Sequence, residues 1–265
     1  MPKVLWILLM LVIPFTADNH PEGIHPREET PFKKGEQLYF RAMYHSRITG
    51  NVTAGDASLV IQPESVMVDG IPSMKITGRA NTRGMFNLFF KVENEYVSHF
   101  STDMMAPVWF YKTVREGRHT RNADVRFHWN DGKILTKDTV IEASSPVQDL
   151  ISAYYYARHF DMQSAEPGDS YEVQFFHRDT VYVSRILFEG REQITTSLGT
   201  FNTLRFKPEM LRGQVFSQPY PMTIWVSDDK NKIPIRAESG LIVGRARLDL
   251  TGFRGLKNEI TSFVP

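Results

Sequence analysis

From Leu38 to Ile48 the chain alternates: Leu38, Phe40, Ala42, Tyr44 and Ile48 share one face, and Tyr39, Arg41, Met43, His45 and Arg47 the other. A period of two describes a strand with one buried face. Gly50-Asn51 predicts a turn into a second strand over 52–62. Similar runs follow at 74–81, 88–101, 108–116, 124–129 and 133–141, then at 171–177, 180–188, 191–197, 203–206, 223–227, 234–238 and 242–251. Asn130-Asp131-Gly132 marks a tight turn, because Asp and Gly tolerate positive φ. Many short strands without repeated helices predict an all-β antiparallel fold, either curved, barrel-like or built from two sheets.

One segment changes period. Over 145–159, Val147, Leu150, Ile151 and Tyr154 fall on a helical stripe, with Ser145 placed as N-cap, Pro146 at the first helical position and Gln148 at capping-box spacing. A single amphipathic helix among strands is suited to plugging a barrel end or covering an open edge. It divides a β-rich domain over 35–265 into halves of about seven predicted strands each.

The chain starts differently. Val4–Phe15 is an unbroken apolar run after Lys3, followed by polar residues from Asp18. A membrane-spanning helix needs about 20 apolar residues, so the run reads as the core of a signal peptide covering 1–17. Ala17 suits cleavage after it. Phe15 occupies a position where a small residue is favoured, which keeps an uncleaved anchor as the alternative. After cleavage no membrane span is expected. Residues 18–34, rich in Pro and charge, read as a flexible lead-in.

Composition narrows the partners. The chain has 31 Lys and Arg against 30 Asp and Glu, and losing Lys3 with the leader balances the two signs. A neutral chain is a poor match for nucleic acid, whose binding draws on a basic excess. No cysteine is present, so disulfides, thiolate metal sites and a thiol nucleophile are excluded. An exported, Cys-free chain fits a bacterial envelope, at the periplasm or the outer-membrane periphery, better than a small secreted eukaryotic domain.

Candidate chemistry is sparse. Asp228 and Asp229 follow Trp225 and could serve as a carboxylate pair, but Asp228-Asp229-Lys230-Asn231 also has the composition of a hairpin turn between strands at 223–227 and 233–236. Tyr154, Tyr155 and Arg158 could form a binding wall with a cation to grip an anion, or simply pack the helix on a sheet. The histidines show neither i, i+4 helical spacing nor a His-x-His strand pair, so no metal site is expected. No phosphate loop, dinucleotide fingerprint or G-x-S-x-G occurs, and neither a catalytic residue nor a cofactor is assigned.

Several short motifs recur in a familiar order: Gly35-Glu36-x-Leu38, Gly55-x-Ala57, Pro107-Val-Trp-Phe-Tyr with Glu116-Gly117, Asp149-Leu-Ile-Ser-Ala-Tyr-Tyr-x-x-Arg158, Gly199-Thr-Phe201, and Ile224-Trp225-x-Ser227-Asp228-Asp229 with Ile233-Pro234. Together they resemble a family of exported Gram-negative, Bacteroides-type envelope proteins catalogued only as a domain of unknown function. The resemblance implies an envelope location and a mostly antiparallel β fold, and carries over no catalytic residue. Three functions are consistent with this: binding of a lipid or other apolar or amphipathic molecule, or of an envelope protein, without catalysis; a structural or interaction module of an envelope assembly; and a hydrolase of envelope polymers using Asp228 or Glu192 as a carboxylate.

Overall fold

The computed structural model describes residues 30–265 except 48–49, 210–219 and 242–243. The expected leader at 1–17 and most of the lead-in lie outside these residues.

The first half of the chain forms strands β1 Gln37–Ser46, β2 Gly50–Val68, β3 Ile71–Thr82, β4 Val92–Ser101, β5 Ala106–Glu116, β6 His119–His128, β7 Lys133–Thr136 and β8 Val140–Glu142. A short helix, α1 Gly84–Phe89, precedes β4, and a second, α2 Ser152–Ala157, follows β8. The second half forms β9 Ser170–His177, β10 Thr180–Thr196, β11 Gly199–Pro208, β12 Met222–Ser227, β13 Pro234–Gly240, β14 Arg245–Arg254 and β15 Phe263–Val264.

All strands belong to one antiparallel sheet in the order β8-β7-β6-β5-β4-β3-β2-β1-β14-β13-β12-β11-β10-β9, with the short β15 paired to β11. The join between the halves is β1 against β14, so the first strand and the last long strand meet in the middle of the sheet. On β1 the predicted alternation holds: Leu38, Phe40, Ala42 and Tyr44 are buried. Register shifts at Tyr39/Phe40, Ala42/Met43, Ile61/Ser65, His99/Phe100 and Phe188/Gly190 add local twist and curl the sheet on itself. Gly55 allows close strand approach, because a Cβ there would lie 2.2 Å from the Asn81 carbonyl oxygen.

The curl does not close into a barrel: β8 and β9 remain unpaired with each other. The gap beside β9 is occupied instead by the chain leaving β8. Gln148 N donates to the Gln174 carbonyl (2.8 Å), Phe176 N to the Gln148 carbonyl (2.7 Å), and Gln148 Nε2 to the Met105 carbonyl (2.9 Å). This strap satisfies part of an otherwise open edge.

The strap corrects the expected helix over 145–159. Residues up to Gln148 serve the β9 edge, and Ser145 Oγ donates to Gln174 Oε1 (3.2 Å) rather than capping a helix. The capping role passes to Asp149, whose Oδ1 accepts from Ile151 N (2.7 Å) and Ser152 N (2.9 Å), while Ser152 Oγ accepts from Asp149 N (2.8 Å). Other boundaries shift for similar reasons. Helix α1 takes the start of the strand expected at 88–101, held as Thr82 Oγ1 donates to Asn87 and accepts from Val92 N. The two strands expected at 180–197 are one, with Gly190 (φ +135) absorbing a bulge. Gly50-Asn51 belongs to β2 rather than to a turn.

Helix α2 lies inside the curl. Tyr155 packs edge-on to Phe32 in the core cluster that also holds Phe100 and Phe110, Tyr154 packs against the cluster of Leu38 and Phe40, and Ala153 and Ala157 pack against that of Phe160, Phe188 and Phe206. The core is therefore the sheet's concave face wrapped around one short helix.

Asp149 makes this arrangement measurable. Burial pushes its carboxyl up to about 6, although Ser98 Oγ (2.5 Å) and the backbone N–H groups donate to it. Because the folded state keeps this proton to higher pH than the unfolded chain, its contribution to stability is complete below about 3.8 and is lost as pH rises through about 6. Asp149→Asn keeps the cap acceptor without the charge. Urea midpoints should show both Asp149→Asn and Asp149→Ala gaining on the native protein across that window, with Asp149→Ala below Asp149→Asn by roughly 1 kcal/mol at every pH because it lacks the cap acceptor.

Candidate functional site

The residues singled out at 154–158 are enclosed. Arg158 is 2% exposed and Glu36 fully buried, and they form a two-pronged pair: Nη1 to Oε1 at 2.5 Å and Nη2 to Oε2 at 2.9 Å. Arg158 Nε donates to the Asn231 carbonyl (2.8 Å), and the guanidinium lies over the Phe32, Tyr154 and Tyr155 rings at 5.1, 5.5 and 5.4 Å. The anion that Arg158 grips thus belongs to this chain. Burial pushes the Tyr154 and Tyr155 phenols well up, so both stay protonated.

Asp228 and Asp229 occupy the turn between β12 and β13, and they diverge. Asp229 Oδ1 accepts from Ser227 Oγ and Asn231 N, and its Oδ2 from Ser262 Oγ (2.7 Å). Asp228 turns to Arg191 at 3.5 Å. Trp225 Nε1 donates to Glu192 Oε1 (2.6 Å), which Arg205 Nη1 also reaches at 3.1 Å. Asp228 and Glu192 are thus each held by a cation. Among the described residues no group of three His, Asp or Glu side chains is placed to hold a metal ion.

Open space lies elsewhere. A groove of about 760 Å³ is lined mainly by β4, β5 and β6, with Leu150 after the strap and the β9–β10 turn. Its apolar part includes Phe110, Val114, Val125, Leu150 and Phe176. Its polar part includes Asn94, Lys112, Glu116, Arg121, His177 and Arg178.

The polar part follows from strand phase. Val108, Phe110, Lys112, Val114 and Glu116 share one face of β5, and Lys112 sits across from Tyr96 on β4 and Ala123 on β6. Two charges are therefore set on the core-facing side. Glu116, buried, accepts from Asn94 Nδ2 (3.1 Å) and pairs with Arg121 Nη2 (3.2 Å). Lys112 has no hydrogen bond or ion pair among the described residues. Burial, then the Arg178 and Arg121 charges, push its amine down against the pull of Glu116. Burial, with Lys112 and Arg178 nearby, pushes His177 down to about 4, so its ring is neutral at neutral pH.

Phe110, Glu116 and Leu150 fall within the quoted motifs, but Lys112, Arg121, His177 and Arg178 stand in none of them. Glu116 reads in the sequence as a solvated charge beside a turn; the available signal is that it and Lys112 fall in phase with Val108, Phe110 and Val114.

The Arg158–Glu36 pair gives a direct test. Arg158→Met or Glu36→Leu alone should cost about 3–5 kcal/mol, read as a lowered urea midpoint, because each leaves a buried charge unpaired. The double variant should lose clearly less than the sum of the two, and equal additive losses would show that the two groups do not interact.

The family model described as "Protein of unknown function (DUF3108)" matches residues 39–251, and the chain belongs to that family. In fold the chain is similar to a beta-barrel-like protein of domain of unknown function DUF1849 from Brucella abortus, with TM-score 0.53 and 10% identity over 85% of this chain and 99% of that one. Two further matches are a protein from Parabacteroides distasonis described as a lipoprotein (TM-score 0.37, 13% identity, 84% of this chain and 97% of that one) and one from Bacteroides fragilis described as exported with a YmcC-like fold (TM-score 0.33, 10% identity, the same coverages). A search of curated proteins found no match.

Proposed function

We propose that this protein is a non-catalytic binding protein of the cell envelope, exported to the periplasm or the outer-membrane periphery, and that it holds an amphipathic small molecule in the groove of its curled sheet. The observation that carries this reading is the groove itself: about 760 Å³ of open space with an apolar floor and a polar end, in a sheet where α2 and its neighbours leave smaller cavities of about 130 and 90 Å³. That volume falls in the range of small-molecule sites, roughly 300–1,000 Å³, and the mixture of apolar walls with a few convergent polar groups is typical of them. Export is supported by the apolar run at 4–15 and by the absence of cysteine.

The carboxylate-hydrolase alternative has less support. Such chemistry needs two carboxyls about 5–9.5 Å apart across a cleft, and Asp228 and Glu192 are each held by an arginine on the sheet.

Native mass spectrometry of the protein after gentle extraction from the envelope should show an adduct of a few hundred daltons. Ala123→Trp, placed at a groove-lining position beside Lys112, should weaken a fluorescent acyl probe at least about tenfold, or about 1.4 kcal/mol, without moving the urea midpoint. A ligand-free native protein, together with a variant that binds the probe as well as wild type, would overturn the proposal.

A further inference from the structure

Resting on the groove-binding reading, we propose that the occupant is an anionic amphiphile: its carboxylate or phosphate headgroup is held by Lys112, and its hydrocarbon tail lies over the apolar floor toward Leu150.

Three observations carry this. First, Lys112 is on the concave face, flanked along β5 by Phe110 and Val114 and without an ion-pair partner among the described residues. An ammonium partly withdrawn from water is costly unless an anion meets it. Second, the nearby acid is engaged: Glu116 is bonded to both Asn94 and Arg121. Of the other carboxylates that line the groove, Asp124 accepts from Trp109 Nε1 (3.0 Å), and Asp138 and Asp179 lie in the β7–β8 and β9–β10 turns. At Lys112 itself the fields of Arg178 and Arg121 act against the pull of Glu116, and an anion placed beside the amine would relieve that repulsion. The neutral His177 ring adds a polar contact without adding charge. Third, the apolar side continues inward. Leu150 lines the groove and also a smaller cavity of about 130 Å³, whose walls include Phe40, Leu59, Ile151 and Tyr154. The headgroup end of the space is thus set by Lys112 on β5, and the tail end by Leu150 on the segment between the strap and α2.

Isothermal titration of the full exported chain with dodecanoate, dodecyl phosphate, dodecanol and inorganic phosphate tests this. Wild type should bind both anionic amphiphiles at least about tenfold more tightly than dodecanol, the scale of one charge-assisted bond. Lys112→Gln should abolish that preference by weakening both anions at least about tenfold more than dodecanol, and Lys112→Arg should restore much of it. The stronger of the two anions identifies whether the natural headgroup is a fatty-acid carboxylate or a phosphate. Equal binding of dodecanol and the anions, unchanged in Lys112→Gln, would overturn the headgroup assignment and leave the groove reading standing. Binding of no amphiphile at all would overturn the groove reading and this inference with it. Inorganic phosphate binding as tightly as dodecyl phosphate would overturn the role of the tail.

Discussion

The buried pair between Arg158 and Glu36 is the constraint on which the rest of the molecule depends. It joins residues 122 positions apart, and the groups around it extend the joint in both directions. Arg158 also binds the Asn231 carbonyl, and Lys232 Nζ returns to the Arg158 carbonyl. Asn231 Nδ2 donates to the carbonyls of Asn258 and Glu259, and Asp229 accepts from Ser262. One guanidinium therefore ties the start of β1, the end of α2, the β12–β13 turn and the chain's last segment. Desolvation makes such a pair a modest source of net stability, but breaking it is expensive, and this favours one arrangement over its alternatives. Here the arrangement it selects is the helix held inside the curl.

That placement explains why the groove exists. A sheet of this many strands curls without having to close, and its two ends are not bonded to each other. The chain leaving β8 fills part of the gap beside β9 and then turns at Asp149 into the helix that Arg158 anchors. Where the strap ends, Leu150, Phe176 and the β9–β10 turn face β5 and β6 across open space. The unfilled part of the seam and the charged face of β5 thus coincide.

How much of this could be read from sequence depends on whether the controlling contacts are local. Strand periodicity was legible because burial of one face imposes it directly, as at Leu38, Phe40, Ala42 and Tyr44. The Asp228–Asn231 turn was legible because Asp and Asn make their bonds within a few residues. The helix start was not, because the favourable local signals at Ser145, Pro146 and Gln148 lost to pairing with β9, a partner that only the tertiary fold supplies. The bonds of Glu36 and Arg158 were invisible for the same reason. The groove residues lay between these cases: Lys112 and Glu116 are charged residues in an apolar phase, a local anomaly whose meaning appears only when the curl leaves space above it.

The most direct measurement is a crystal structure of the protein grown with dodecanoate. It is expected to show the carboxylate about 2.8 Å from Lys112 Nζ, with the tail running over Val114 toward Leu150 and the Arg158–Glu36 pair unchanged. A groove closed by its own side chains, or the fatty acid bound away from the concave face, would contradict the reading of this fold as a holder of anionic amphiphiles.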